Sequence, residues 1–415
     1  MAAETVVVLY GRGAASPSDV WRAVAGRWEI VFAYDSGQGD RPEVPGLLSR
    51  FGAAIDVAGL GYRGIIDRVR RHQVRGVVTF CEPMVRLANT LARDLGCRAN
   101  PPPAVLRVTD KYLQRTALNR AGISVTPVAP VRHGSCERAA RIVGVPAILK
   151  PRRGNASQGV TLVKSAAEVA AAMDGGVGGW LLEQPLAGAS RAAEPWLGDY
   201  ASVEMLSIDG CHRQLFVTDK LALGSGFRER GSVLPSSLPA SAQHELVGLA
   251  AGALDAIGLR NGITHTEIKL TPAGPRIIEV NGRLGGPVHR LLTLAGSANP
   301  VALAIEVAVG GRPPASVPGF ASHVATVHIL PPAGATRIRA LPDVAALRRL
   351  PGVRRVEEIA SLGQPVCLAA GSLSRVMTID LEAESRSELA RRIEAVDAAA
   401  YAGAAFEWSG RFTGA

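Results

Sequence analysis

Three polar side chains follow one another at two-residue spacing in the segment "RIIEVNGRLGG", residues 276–286. The segment begins like a buried strand, with two isoleucines, and then presents Glu279, Asn281 and Arg283. Because successive residues of a strand point to opposite faces, this spacing places the acid, the amide and the guanidinium on one face. An acid and an amide offer the hard oxygen ligands that Mg²⁺ prefers. A guanidinium beside them can hold a phosphoryl group or an oxyanion.

A second acid faces the first across a predicted hairpin. The segment 264–280 reads as two antiparallel strands joined by a turn centred on Ala273, which places Glu267 opposite Glu279. Carboxylates at directly opposed positions lie about 5 Å apart and destabilise the pair unless a shared proton or a cation offsets their repulsion. We predict that Glu267, Glu279 and Asn281 bind Mg²⁺, with water and phosphate completing its ligands. The alternative is a solvated strand face with two unrelated acids, and the apolar flanking residues argue against it.

Arg283 is the predicted catalytic residue of this group, the alternative being a purely structural arginine. Gly285 and Gly286 follow it and allow the backbone to pass close to a substrate.

Two further segments are weaker candidates for a binding site. In residues 148–163 a strand ends at Lys150, a loop of small residues follows, and a strand resumes. Such a loop can fold over phosphates with its backbone N–H groups and the Ser157 hydroxyl, although it lacks the Lys and the helix of the common NTPase loop. In "WLLEQPLAG" an apolar strand ends at Glu183 and Gln184, where backbone groups could pair with a flat heterocycle.

Composition narrows the class of protein. The chain has 415 residues, 47% hydrophobic and 20% charged, as in an ordinary globular protein of two or three domains. It has no apolar run long enough to span a bilayer, and the first residues read as a strand rather than a signal peptide. The five cysteines lack any CxxC pair, which favours reduced thiols in the cytoplasm.

The net charge of +10 raises the possibility of nucleic-acid binding, but the arginines are scattered and form no dense basic run. Only five of the 46 basic residues are lysines, and all lie between positions 111 and 269. Because a compact ammonium suits a phosphate, this distribution suggests chemistry in the middle of the chain.

The elements that position these residues follow from periodicity. Residues 1–100 alternate strands and helices, which predicts a parallel sheet layered with helices, with Ser18 as N-cap of the first helix. "CRANPPPAV" (97–105) is a predicted linker. A hairpin is expected around Asp209-Gly210, and the last helix opens with capping-box spacing at Ser385.

In this order the motifs resemble the ATP-grasp superfamily of carboxylate–amine ligases. The match runs from about residue 75 to 310 through "DKYLQRTALNRAGISVTP", "AILKPRRGNASQGV", "LLEQPLAG", "GFRERGSVLPSSLP" and "HTEIKLTPAGPRIIEVNGRLGG". It is most similar to the L-amino-acid ligases that form dipeptides. The resemblance implies an α/β (α+β) fold in three parts: an N-terminal parallel α/β domain (1–107), an ATP-grasp domain (108–315) with a lid at about 125–187, and a small C-terminal α+β unit (316–415).

The resemblance also implies roles for individual residues. ATP phosphates would be contacted by Lys111, Lys150, Lys220 and the loop 154–159, including Ser157 and Gly159. The adenine would lie beside the hinge formed by Glu183, Gln184 and Leu186. Mg²⁺, as two ions that Mn²⁺ can replace, would be held by Glu267, Glu279 and Asn281. The substrate pocket would be formed by Glu82, Glu229, Ser232, Arg283 and Gly286, with Arg283 steadying an acyl phosphate.

The expected function is that of an ATP-dependent ligase, which joins a small carboxylic acid, such as an amino acid, to an amine. No nucleic-acid or membrane partner is expected, and a homodimer is left open. Ser232 stands where amino-acid ligases often carry His, and Pro287 where some carry an aromatic residue. The ribose contact is open, with Glu194 and Asp199 as candidates. The alternatives are a carboxylase or nucleotide-pathway ligase of the same superfamily, a basic nucleic-acid-binding protein, and a non-catalytic binder.

Overall fold

The N-terminal region is a four-stranded parallel sheet with helices packed on it. It is part of a computed structural model that describes residues 4–37, 43–173, 179–314 and 316–408. The sheet order is β3-β2-β1-β4, and the β-branched sequence of its central strand is buried, as both-side coverage requires. The elements are β1 Thr5–Tyr10, α1 Pro17–Val24, β2 Glu29–Tyr34, α2 Val44–Leu48, β3 Ala53–Asp56, α3 Tyr62–Val69, β4 Val74–Thr79, α4 Val85–Asp94 and α5 Pro102–Val108.

A small antiparallel sheet of order β5-β8-β6-β7 follows and has its own hydrophobic core, formed with α7 and α8. Its strands occupy the range predicted for the lid. The elements are α6 Lys111–Arg120, β5 Val128–Val131, α7 Cys136–Val143, β6 Ala147–Pro151, β7 Thr161–Val163, α8 Ala166–Ala172 and β8 Trp180–Glu183.

A long antiparallel sheet is the largest part of the remaining described structure, in the order β13-β12-β9-β10-β11-β14-β17-β16. Its first part contains β9 Leu197–Ile208, β10 Cys211–Leu221, β11 Gly231–Leu234, α9 Ala240–Ile257, β12 Gly262–Thr271, β13 Gly274–Asn281, α10 Val288–Leu294 and α11 Pro300–Ala308. Its second part contains β14 His323–Ile329, β15 Ala335–Ala340, α12 Val344–Arg349, β16 Val353–Glu358, β17 Met377–Ala383, α13 Arg386–Gly403 and β18 Ala405–Trp408. Strands β15 and β18 pair separately.

The long sheet contains strands from both sides of the predicted domain boundary at 315/316, because β11 pairs with β14. One hydrophobic core correspondingly contains Leu221 and Val233 together with Ile379. The predicted boundaries at 107/108 and 315/316 stay predictions.

Several local predictions are corrected. The N-cap of α1 is Ser16, not Ser18, because the Ser16 hydroxyl accepts the Asp19 N–H in a capping box. The predicted linker 97–105 contains the start of α5, since prolines are tolerated in a first helical turn. The hairpin at Asp209-Gly210 and the Ser385 cap are confirmed. Among the described helices, none is long and apolar enough to cross a bilayer.

Candidate active site

A cavity of about 1310 Å³ lies where the parallel sheet, the small sheet and the long sheet meet. Its lining contains most of the residues singled out from the sequence: Glu82, Lys111, Lys150, Ser157, Glu183, Gln184, Leu186, Lys220, Glu229, Glu267, Glu279, Asn281, Arg283 and Gly286. Gly159 and Ser232 are not among the described residues that line it. The fold thus brings together segments that are up to about 200 residues apart in the chain.

The predicted pairing of Glu267 with Glu279 is confirmed, and His265 pairs with Asn281. The turn differs from the prediction, because Thr271 pairs with Gly274 and only two residues form the loop. A register shift between Glu267 and the next residue restores the predicted opposition of the two acids.

Protein cations lie against both acids. The Lys111 ammonium is 2.8 Å from Glu279 Oε1 and also donates to the Gly154 carbonyl at 2.7 Å. On the other strand, His265 Nε2 lies 3.3 Å from Glu267 Oε1. These contacts reduce the repulsion that two opposed carboxylates would otherwise suffer.

His265 and Glu204 form a buried pair that the sequence did not reveal. Burial lowers the pKa of His265, but the charge and hydrogen bond of Glu204 outweigh it and raise the pKa to about 9. A protonated His265 in turn helps to lower the pKa of Glu267 to about 2 against the effect of burial. Glu267 is therefore ionised at neutral pH, as a metal ligand must be. The signal in the sequence was His265 itself, on the same face as Glu267.

Arg283 leaves the end of β13 and turns into the cavity. Its Nε lies 2.9 Å from Glu82 Oε2, and its Nη2 donates to the Asn281 side chain at 3.3 Å. Burial raises the pKa of Glu82, and the guanidinium opposes that shift. Glu82 and Arg283, both predicted substrate-pocket residues, thus neutralise each other.

Lys150 and Glu183, predicted to contact phosphate and adenine, are both buried and joined by a 2.5 Å ion pair. Arg115 approaches the other oxygen of Glu183 at 2.5 Å. Burial raises the pKa of Glu183, but these two cations lower it below its ordinary value. Both carboxylate oxygens of Glu183 are therefore paired with cations of the protein itself.

Only part of the backbone of the predicted hinge is free to hydrogen-bond with an adenine ring. The Gln184 N–H donates to the Pro127 carbonyl at 3.0 Å, so it is not free for a heterocycle. Leu186 lines the cavity, and its role stays a prediction.

The loop 154–159 reaches across the cavity to a 3₁₀ segment at Leu368–Ser374. The Ser372 N–H donates to the Ala156 carbonyl at 2.8 Å, and the Gly159 N–H donates to the Ala369 carbonyl at 3.3 Å. The Gly159 amide predicted to meet phosphate is thus occupied by protein. The sequence did not reveal this contact because its two sides lie more than 200 residues apart.

Lys220 lies 3.3 Å from Glu229, and both line the cavity. Burial lowers the pKa of Lys220, but Glu229, Glu267 and Glu204 together raise it above its ordinary value. Ser232 was predicted to contact substrate; it is instead buried in β11, where it pairs with Lys220 and Thr326 on the two neighbouring strands. Glu194 and Asp199 are not among the described lining residues, and Asp199 pairs with Lys269 at 2.6 Å.

The oxygen atoms of Glu267, Glu279 and Asn281 suit a hard cation whose remaining ligands are water or substrate. No group of three or more His, Cys, Asp or Glu with metal-site geometry occurs in the described part of the chain. Two carboxylates and one amide oxygen are nevertheless the partial oxygen set that suits Mg²⁺, which keeps waters and substrate phosphates in its remaining positions.

Comparisons with known proteins agree with this geometry. Residues 143–289 match the model of the ATP-grasp domain family. The alanine–anticapsin ligase of Bacillus amyloliquefaciens is 33% identical over 210 residues, which cover 46% of this chain and 43% of that protein. Carnosine synthase 1 of Gallus gallus is 29% identical over 322 residues, 68% of this chain and 32% of that protein. The chain therefore spans a third to under half the length of these curated relatives.

Among solved structures, an L-amino acid ligase from Bacillus licheniformis superposes with a TM-score of 0.76 at 19% identity, covering 98% of this chain and 99% of the other. At that identity the likeness concerns the fold. The family match spans the hairpin whose Glu267 and Glu279 line the cavity. Residues 143–289 of this chain therefore carry an ATP-grasp domain.

Proposed function

We propose that the protein is an ATP-dependent ligase that joins a carboxylic acid, such as an amino acid, to an amine through an amide bond. The observation that carries the proposal is the opposition of Glu267 and Glu279 at one end of a cavity that Arg283, Lys150 and Lys220 also line. Relatives named as a ligase and a synthase support the same reaction class.

The reaction needs two steps. An oxygen of the substrate carboxylate attacks the γ-phosphorus of ATP, forming an acyl phosphate and releasing ADP. The amine nitrogen then attacks the acyl carbon, the tetrahedral intermediate expels phosphate, and the ammonium proton is lost to solvent or a base. A water-excluding site is required because the acyl phosphate would otherwise hydrolyse.

Residues of this chain are assigned to these steps as follows. Lys150 and Lys220 would contact the phosphates, and the loop 154–159 would cover them and exclude water. Arg283 would hold the acyl phosphate and then the oxyanion of the tetrahedral intermediate. Glu229 would receive an ammonium group of an amino-acid substrate.

Glu267, Glu279 and Asn281 would hold Mg²⁺, which when bound neutralises charge on the transferring phosphoryl group. The same proposal includes two magnesium ions, which Mn²⁺ can replace, and a homodimer. It also includes a cytoplasmic location with reduced cysteines. The five cysteines are all free, which supports the proposal that they are reduced.

The test is a screen of purified protein with ATP and Mg²⁺ against pairs of amino acids, reading ADP release and product mass. We expect release that depends on both partners and on Mg²⁺, with a product lighter than the sum of the partners by one water. Release with bicarbonate in place of an acid–amine pair would favour the carboxylase alternative. DNA retention that falls steeply with salt, with no ATP effect on Tm, would favour the nucleic-acid alternative.

A further inference from the structure

One buried histidine of the cavity wall has no assigned role in the proposed reaction. His328 lies in β14, is 3% exposed and lines the cavity. Its main-chain N–H donates to the Arg230 carbonyl at 2.7 Å, so the residue lies beside the segment that carries Glu229. Burying an imidazole is costly unless its polar atoms are used, and this position therefore calls for an explanation.

The two ring nitrogens of His328 have different surroundings. Nδ1 lies 3.2 Å from the Thr378 hydroxyl on β17, which fixes the ring when Nδ1–H is the donor. Nε2 makes no hydrogen bond within the described part of the chain, and it is not among the atoms there that are buried without a partner, so it keeps contact with solvent. Because His328 lines the cavity, Nε2 meets solvent there. In this tautomer Nε2 carries a lone pair and can accept a proton.

The charges around the ring keep it unprotonated. Burial lowers the pKa of His328 well below its ordinary value, and the charges of Arg375, Arg290 and Lys220 lower it further. A base must be unprotonated before it can act, so His328 is ready at neutral pH. The same three cations attract anionic groups of bound reactants, and a bound anion beside them would make protonation of the ring easier during the reaction.

The ligation step needs such a base. An amine enters as an ammonium ion near neutral pH, and that ion has no lone pair with which to attack the acyl carbon. Glu229, which is proposed to receive this ammonium group, pairs with Lys220 at 3.3 Å, and the Lys220 charge also acts on His328. The proposed ammonium position and the free ring nitrogen therefore belong to one part of the cavity.

We propose that His328 is the general base of the ligation step. Its Nε2 takes one proton from the substrate ammonium, and the freed nitrogen lone pair forms the C–N bond at the acyl carbon. The C–O bond to phosphate then breaks, its electron pair leaves with the phosphate, and the second proton lost by the nitrogen passes to that phosphate. His328 returns its proton to solvent. The inference rests on the proposed ligase function and adds a catalytic residue to it.

The test compares L-alanine with hydroxylamine as the amine, in the wild type and in His328→Gln, with a fixed acid from the screen. Hydroxylamine is largely unprotonated near neutral pH and needs no base, so its hydroxamate product reports formation of the acyl phosphate alone. We expect kcat with L-alanine to fall about 10²- to 10⁴-fold in the variant, the range of a lost general base. Hydroxamate formation, and the rise in Tm with ATP and Mg²⁺, should stay near the wild-type values.

His323→Gln is the matched control. His323 lies in the same strand, and burial also lowers its pKa, but it is not among the described residues that line the cavity. This variant should form both products at wild-type rates.

Equal losses with both amines in His328→Gln, or no loss with L-alanine, would overturn the inference and leave the ligase function intact. A second measurement uses pH. The ratio of wild-type to variant rates with L-alanine should fall toward one as the pH approaches the pKa of the amine, because unprotonated amine then needs no base. A ratio that does not change with pH would also overturn the inference. If the wild type forms neither amide nor hydroxamate, the ligase function itself fails, and the role of His328 fails with it.

Discussion

At the scale of residues, the cavity is organised by pairs of opposite charge rather than by isolated groups. Lys111 forms an ion pair with Glu279, Lys150 with Glu183, and Arg283 with Glu82. Each pair is partly or wholly buried, where removal of one partner leaves an uncompensated charge and is strongly destabilising. Single substitutions at this site therefore change stability as well as chemistry, and variants must be designed in pairs.

Arg283 provides the sharpest test at this scale. Arg283→Ala should lower kcat/KM for ligation by about 10²–10³, the loss expected for one group that stabilises an oxyanion. It should also destabilise the fold by about 3–5 kcal/mol, because Glu82 loses its counter-ion. The double variant Glu82→Gln/Arg283→Ala should recover most of that stability and none of the activity, as measured by urea unfolding and product formation. Loss of ATP binding in the stable double variant would mean that Arg283 serves the nucleotide instead.

At the scale of elements, the loop between β6 and β7 is tied to the 3₁₀ segment Leu368–Ser374. Ser372 contacts two segments that line the cavity, since its N–H donates to the Ala156 carbonyl and its hydroxyl accepts the Glu229 N–H at 2.9 Å. The backbone of Gly371 passes so close to the loop that an added Cβ would lie 2.1 Å from the Ala156 carbonyl oxygen. The loop 154–159 and the backbone of Glu229 are therefore both held by Ser372.

Gly371→Ala should separate the loop from its anchor and admit water to the acyl phosphate. We expect phosphate release without amine to rise several-fold relative to ligation, measured as the ratio of phosphate to amide product. Gly363→Ala is the control, because Gly363 also has a positive φ, 79° against 59°, yet an added Cβ there meets nothing within 4 Å. An unchanged ratio in Gly371→Ala would show that this contact does not govern water exclusion.

The sequence predicted most local elements and the pairing of Glu267 with Glu279, because both depend on short-range periodicity. Glu267 and Glu279 lie within one hairpin, so counting from the turn was enough to pair them, and a bulge corrected the error in the turn itself. The Lys150–Glu183 pair and the contact between the loop 154–159 and the segment Leu368–Ser374 were not predictable in this way. Each joins groups from segments that are distant in the sequence and are brought together only by tertiary packing.

At the scale of the whole molecule, the C-terminal strands complete a sheet that begins at the proposed metal site. Strand β14 covers the edge of β11, and Arg386 at the start of α13 lies 2.6 Å from Asp219, which is fully buried in β10. Asp219 also pairs with Arg191 at 3.2 Å. The C-terminal unit thus contributes hydrogen bonds, apolar cover and a counter-ion to the central region.

A chain of residues 1–315 should therefore not fold independently. Without β14 it would expose an unpaired edge strand and the apolar residues Leu221 and Val233. We expect aggregation or a non-cooperative thermal transition by calorimetry, where the full chain gives a cooperative one that ATP and Mg²⁺ shift upward. A cooperative transition of the fragment with the same shift would establish residue 315 as the end of an autonomous unit.

The double contact of Lys111 has a consequence for how the cavity fills. Its single ammonium holds both a proposed magnesium ligand, Glu279, and the main chain of the covering loop at Gly154. If Glu279 held a magnesium–nucleotide complex, the Lys111 ammonium would lose this partner and would be available to the phosphates. Binding of the nucleotide would then exchange one internal cation for an external one, and it would also remove the link that Lys111 forms between Glu279 and the loop 154–159.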